Sequence, residues 1–128
     1  MKGYNLVLEY PQKVQSKYVV SGFYGFGAVG FLTVNYLIKK LNFERIGYID
    51  PPFVPDVTSI EDYGLSVPHE IFYYRDGSIA AVLNRINPSH KHFESYGRAF
   101  VNLVRALEAE AVILIGGLDR RYSDGQSE

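Results

Sequence analysis

Three glycines and one acid carry the sharpest chemical signal in this sequence. Gly25, Gly27 and Gly30 keep G-x-G-x-x-G spacing between an apolar run, Tyr18 to Gly22, and an apolar helical stretch. That spacing lets a tight turn bring backbone amides up to a phosphate at the positive end of a helix. Asp50 closes the next apolar run, where an acid would hold the hydroxyls of a ribose. The chemistry so described is the binding of a nucleotide or a phosphate. The same layout also forms when a strand-to-helix turn packs tightly with no ligand, glycine being used there because it has no Cβ.

The neighbours of these glycines favour packing. Counting back from Gly25, the inward strand positions are Phe23 and Ser21, where a dinucleotide site needs small apolar residues. Tyr24 and Phe26 crowd the turn over which a pyrophosphate would pass, and Asp50 leads into Pro51-Pro52 rather than a second βαβ unit. The remaining chain is also too short for the six-stranded sheet that such sites use. No Gly-Lys-Ser/Thr follows the turn, so a P-loop is poorer still.

Other candidate groups are thinner. Ser21 and Ser66 lack a nucleophile elbow. His90 and His92 would share a metal only in a loop, with His69 as a third ligand, and a surface pair at a helix start explains them better. Glu61-Asp62 reads equally well as an acid pair or a solvated turn. No reaction can be written from these residues, and no metal or cofactor is expected.

The elements that must position these groups follow from pattern. Leu6-Val7-Leu8, ended by Pro11, predicts an edge or peripheral strand. Tyr18 to Gly22 is a strand, and a helix over about 28–41 puts Gly30, Val34, Leu37, Ile38 and Leu41 on one stripe. Phe31, Leu32 and Tyr36 widen that stripe beyond one face, as in a helix that is sandwiched or meets another subunit. Asn42 is a left-handed stop, and a strand spans Arg45 to Ile49. Residues 51–68 hold four prolines and no periodicity, a long loop of the functional or interacting kind. Asp76-Gly77 marks a hairpin between Glu70–Tyr74 and Ser78–Ile86. Asn87-Pro88-Ser89 predicts a turn and N-cap before an amphipathic helix carrying Phe93, Tyr96, Phe100, Leu103, Val104 and Leu107. Ala111 to Ile115 is a continuous apolar run of the buried parallel kind, ending in Gly116-Gly117.

Composition bounds the function. The chain has 128 residues, 47% hydrophobic and 21% charged, a single α/β domain over 1–118 with a polar tail at 119–128. The net charge of -1 gives no pull toward nucleic acid or anionic lipid. There is no cysteine, hence no disulfide and no thiolate, which fits the cytoplasm. No run is long enough to span a bilayer, so no membrane partner is expected. Eleven Tyr and eight Phe suit a core or a contact surface.

Taken in order, SGFYGFGAVG with its apolar helix, RIGYIDPPFVPDV, the hairpin, the amphipathic helix and AVILIGGL resemble the proteasome assembly chaperone 2 family. Gly22, Phe23, Gly25, Gly27, Val29 and Gly30 fill that family's glycine turn, Asp50-Pro51 its acid-proline strand end, and Gly116-Gly117 its Gly-Gly strand end. The resemblance covers roughly Lys17 to Leu118, the N-terminal half of members that run to about twice this length. It implies a three-layer α/β/α sandwich of the phosphorylase/hydrolase type, with a mixed, mainly parallel sheet, truncated here. It also implies no established catalytic residues and a homo-oligomeric chaperone whose partners are itself and proteasome subunits. Family members dock through a C-terminal hydrophobic-Tyr-any tail; Gln126-Ser127-Glu128 departs from that pattern and puts tail docking in question.

The expectation is therefore a non-enzymatic assembly protein presenting an apolar surface at Phe31, Leu32 and Tyr36, with Phe53 and Tyr63 from the long loop. A nucleotide- or phosphate-binding domain using Gly25 to Gly30 is the alternative.

Overall fold

The computed structural model describes residues 3–9, 14–23, 28–53, 60–61, 64–65 and 67–116. Gly25, Gly27, Tyr63, Gly117 and the 119–128 tail lie outside them. In chain order the elements are β1 (Asn5–Leu8), β2 (Tyr18–Gly22), α1 (Val29–Lys40), β3 (Glu44–Asp50), β4 (Ile60–Glu61), β5 (Gly64–Leu65), β6 (His69–Tyr74), β7 (Ile79–Asn84), α2 (Phe93–Ala106) and β8 (Ala111–Ile115).

Six strands form one sheet in the order β1-β3-β6-β7-β2-β8. The chain is thus long enough for six strands, because β1 and the β6–β7 hairpin join the sheet. The order is not the doubly wound parallel one, however. β2, β3, β7 and β8 share one direction, yet only the β7–β2 and β2–β8 pairings are parallel. The β1–β3, β3–β6 and β6–β7 pairings are antiparallel. "Mainly parallel" therefore holds for strand direction and fails for pairing, since the hairpin and β1 each insert an antiparallel neighbour. The long loop, expected to be without regular structure, contains the two-stranded β4–β5 ribbon.

Alternation along the strands sends side chains to two separate cores. Val19, Ile71, Tyr73, Ala80 and Val82 pack with Tyr96, Ala99, Leu103 and Leu107 of and after α2. Val20, Phe72, Ala81 and Leu83 pack with Val34 and Ile38 of α1. One helix thus lies on each face of the sheet.

Local signals explain most boundaries. Asn42 has φ 55° and stops α1 as a left-handed residue. In the hairpin, Ser78 N donates to Arg75 O at 3.1 Å, which places Asp76-Gly77 inside a turn. The left-handed residue is Ser78, with φ 51°. Its Oγ accepts from Lys17 N at 2.8 Å, a contact that holds a conformation usually left to glycine. The predicted N-cap shifts as well. Ser89 opens a 3-10 turn over His90–His92, and α2 begins at Phe93, whose ring is consequently exposed rather than in the stripe.

β8 departs furthest from expectation. It is not buried: it lies at the sheet edge, with Val112, Ile113 and Leu114 at 41%, 46% and 67% exposure. A run apolar on both faces reads as buried only if helices cover both faces, and α1 and α2 are centred over the other strands.

Candidate functional site

The carboxyl ends of β2 and β7 and the start of β6 meet at one end of the sheet, the end where open α/β folds place ligands. A buried polar knot is tied there. Asn84 closes β7, and its Nδ2 donates to Ser21 Oγ at 3.1 Å and to Gly22 O at 2.9 Å. Its Oδ1 accepts from Tyr96 OH at 2.6 Å and from His69 Nδ1 at 2.8 Å. Because Gly22 O can only accept, the amide orientation is set, and His69 must carry its proton on Nδ1. The His69 ring lies edge-on to Tyr4 and Tyr96, with centroids 5.6 and 5.0 Å away.

Burial sets the electrostatics. Loss of water lowers the His69 pKa to about 4, against the opposing pull of Asn84, so the ring is neutral at ordinary pH. Burial, with the neighbouring Tyr4, raises the Tyr96 pKa and keeps its hydroxyl protonated. Ser21, His69 and Asn84 have no exposed surface. These groups fasten β2, β6, β7 and α2 together, and they are enclosed from any substrate. Nothing in the sequence singled out Asn84 or Tyr96; a lone Asn ending an apolar strand was the available signal.

Beside the knot is an open, apolar hollow of about 340 Å³ lined by Phe23, Asn87, Pro88, His90 and Phe93. His90 lines it from the 3-10 turn that also carries His92, while His69 is in the core with Nδ1 engaged. Among the described residues no cluster of His, Asp or Glu is placed to hold a metal ion.

The glycine turn begins and ends in close contact. A Cβ on Gly22 would lie 2.1 Å from Gly30 O, and one on Gly30 would lie 2.3 Å from Ile115 O. Ala28, at φ 54°, leads into α1 with no side-chain cap. At these two positions, glycine is what lets α1 sit against β2 and β8. Gly25 and Gly27 lie outside the described residues.

Asp50 ends β3, exposed and opposite Asn5, while Pro51 beside it is buried. β6 and β7 separate β3 from β2, a gap of about 14 Å at ordinary strand spacing. Asp50 is therefore not the acid beside the glycine turn that a dinucleotide site requires. Gly116 is exposed, with open space where its Cβ would be.

The expected contact surface divides in two. Leu32 and Tyr36 are 56% and 62% exposed, and with exposed Val29 they form the outer ridge of α1, opposite buried Val34. Asn35, Lys39 and Lys40 border a shallow depression there. Phe31 points inward instead, half-buried against the α1 core. Phe53 is exposed but rests edge-on against Tyr4, which belongs to the α2 core on the other face. Phe53 and the α1 ridge do not form one surface.

No helix is long and apolar enough to cross a membrane among the described residues. No curated protein matches the chain significantly. Solved structures do. PbaA of Pyrococcus furiosus, an archaeal homolog of proteasome-assembly chaperone, matches with 26% identity and a TM-score of 0.77 over 91% of this chain and 50% of its own. A monoclinic form of PbaA gives 27% identity, a TM-score of 0.77 and coverage of 91% and 47%. PbaB of Pyrococcus furiosus, an archaeal proteasome activator, shares the fold at 16% identity and a TM-score of 0.74, over 92% of this chain and 52% of its own. This chain thus spans about half the length of these relatives. Together with the match of residues 19–127 to the PAC2 family, the fold and the order of its elements show that the chain belongs to the PAC2 family.

Proposed function

We propose that this chain is a non-enzymatic assembly protein of the proteasome-chaperone type, acting as a homo-oligomer in the cytoplasm. The observation that carries the reading is the exposed apolar ridge of Val29, Leu32 and Tyr36 on α1, bordered by Lys39 and Lys40. Such a ridge is suited to a partner surface with apolar pockets rimmed by acids. PbaA, the relative at 26% identity, is described as a proteasome-assembly chaperone homolog, which makes proteasome subunits the first partners to test. The fuller three-layer sandwich of the phosphorylase/hydrolase type belongs to this proposal too.

The test is co-elution of the 128-residue chain with 20S proteasome α subunits on size exclusion. Complex formation that is lost in Leu32→Ser/Tyr36→Ser, with the fold retained by circular dichroism, supports the proposal. Complex formation unaffected by that variant removes the ridge, and no complex at all removes the proteasome. Calorimetry with adenine nucleotides addresses the alternative at the glycine turn; the separation of Asp50 from β2 leads us to expect no heat.

A further inference from the structure

We infer that His69 is a proton-operated latch on the start of the glycine-rich segment, released by acid before the sheet as a whole unfolds. The latch would act whichever partner the α1 ridge takes.

A side-chain amide has two N–H groups and two oxygen lone pairs, and Asn84 uses all four. Nδ2 gives its protons to Ser21 Oγ and Gly22 O, while Oδ1 receives those of Tyr96 OH and His69 Nδ1. One amide therefore joins β2, β6, β7 and α2, and withdrawing any partner leaves a buried group unpaired. Gly22 ends β2 and is packed so closely on Gly30 that a shift there is passed to α1.

His69 is the one member of the knot that can change its charge in mildly acidic solution. When neutral it donates through Nδ1, and its Nε2 has no hydrogen-bond partner among the described residues. Protonated, it would hold a second N–H and a full charge in the same enclosure. None of the groups facing it there offers a negative charge. Tyr4, ahead of β1, and Tyr96 on α2 meet it ring to ring. Asn84 on β7 and Ser21 on β2 are uncharged. Glu70, next along β6, turns to the opposite face, where Arg45 and Arg85 hold it. Burial lowers the His69 pKa to about 4 against the pull of Asn84, with no charged neighbour among the causes.

The least costly relief is local. His69 and Asn84 face each other as the end pair of the β6–β7 ladder, beyond which the Arg85 N–Pro68 O bond of 2.8 Å continues the pairing. His69 can therefore reach water by loosening one end of a hairpin. One residue further on, the buried Glu70 carboxylate between two guanidiniums keeps the rest of β6 in place. Departure of the ring takes the Nδ1 proton from Asn84, frees the amide to turn and weakens its hold on Gly22 O. The bistable element is the knot, and the proton selects its open form.

The experiment is hydrogen exchange of the 128-residue chain at pH 5 and pH 7, corrected for the intrinsic pH dependence of exchange. An opening that gives His69 its ordinary pKa of 6.5 in place of about 4 becomes about twentyfold more populated at pH 5 than at pH 7. That increase is expected at the amides of Gly22, His69 and Asn84, with those of Val19, Ile71 and Val82 little changed. In His69→Gln, whose amide can donate to Asn84 Oδ1 but does not titrate, the pH response should disappear. An equal increase across all strands would mean that the proton acts only on global unfolding, and would overturn the latch. So would a Gly22 response that survives in His69→Gln. Should that variant fail to fold, the ring signal of His69 in the unmodified chain takes its place. Titration in step with the Gly22 amide supports the latch, and titration with Gly22 unmoved overturns it.

Discussion

The two edges of the sheet are finished in opposite ways. At the β1 edge, α2 lies alongside, with Tyr4 N bonded to Ser95 Oγ at 3.0 Å. A chain of charge runs inward from that edge. Arg45 on β3 lies 3.4 Å from Glu9 and 3.1 Å from Glu70 Oε2, and Arg85 Nη2 lies 2.6 Å from Glu70 Oε1. A β-bulge between Arg45 and Gly47 adds local twist. Among the described residues the β8 edge strand carries no charge and pairs with β2 without a register shift, and α1 rests against it through the close approach of Gly30 to Ile115 O. The contrast teaches that, among the described residues, buried charge ties the β1 side together while the β8 side is held by apolar packing and close glycine contact.

The largest way to break the comparison is Glu70→Ala. It removes the buried carboxylate that Arg45 and Arg85 share, although Arg45 keeps Glu9, and costs about 3–5 kcal/mol. Urea unfolding should show the midpoint falling sharply; a loss under about 1 kcal/mol would mean the charge chain is not what closes the β1 side.

Gly30→Ala attacks the other side. Its Cβ would stand 2.3 Å from Ile115 O and 2.7 Å from Phe23 O, all backbone, so α1 must lift from β2 and β8. We expect a loss of about 3 kcal/mol or more by thermal unfolding, with the β8 amides the first to exchange. Uniform exchange across the sheet would contradict this placement of the strain.

His69, between the edges, links stability to pH. Its folded pKa of about 4 is below the unfolded value of 6.5, so between those values the unfolded chain binds the proton and the folded chain does not. Its contribution is therefore full above pH 6.5 and declines as the pH falls, reaching a loss of about 3 kcal/mol near pH 4. A His69→Gln variant should show a shallower acid dependence than the unmodified chain over that window. Parallel profiles would place the proton elsewhere.

The smallest effect is expected on the α1 ridge. Leu32→Ser and Tyr36→Ser should each change stability by less than about 0.5 kcal/mol, since both side chains already face water. A larger loss in denaturant melts would assign them to the core.

The secondary structure was largely legible, and the site much less so. β2, α1, β3, the hairpin, α2 and β8 all occur where periodicity, Asn42 and Asp76-Gly77 place them, because those signals act within a few residues. The polar knot was not legible. Its members, at positions 21, 69, 84 and 96, meet only after β7 is inserted beside β2 and α2 closes over both.

By itself the sequence determined the local elements, the edge character of β1 through Pro11, and the family through its ordered glycine and proline landmarks. It also determined that α1 would be apolar around most of its circumference. Only the tertiary structure decided that Phe31 packs against the core while Leu32 and Tyr36 are surface, that two strands stand between Asp50 and the glycine turn, and that AVILI is an exposed edge among the described residues. The reason is the same in each case. Whether an apolar side chain is covered, and whether an acid reaches a turn, depends on which strands become neighbours, and that is set by long-range pairing rather than by the pattern within any one strand.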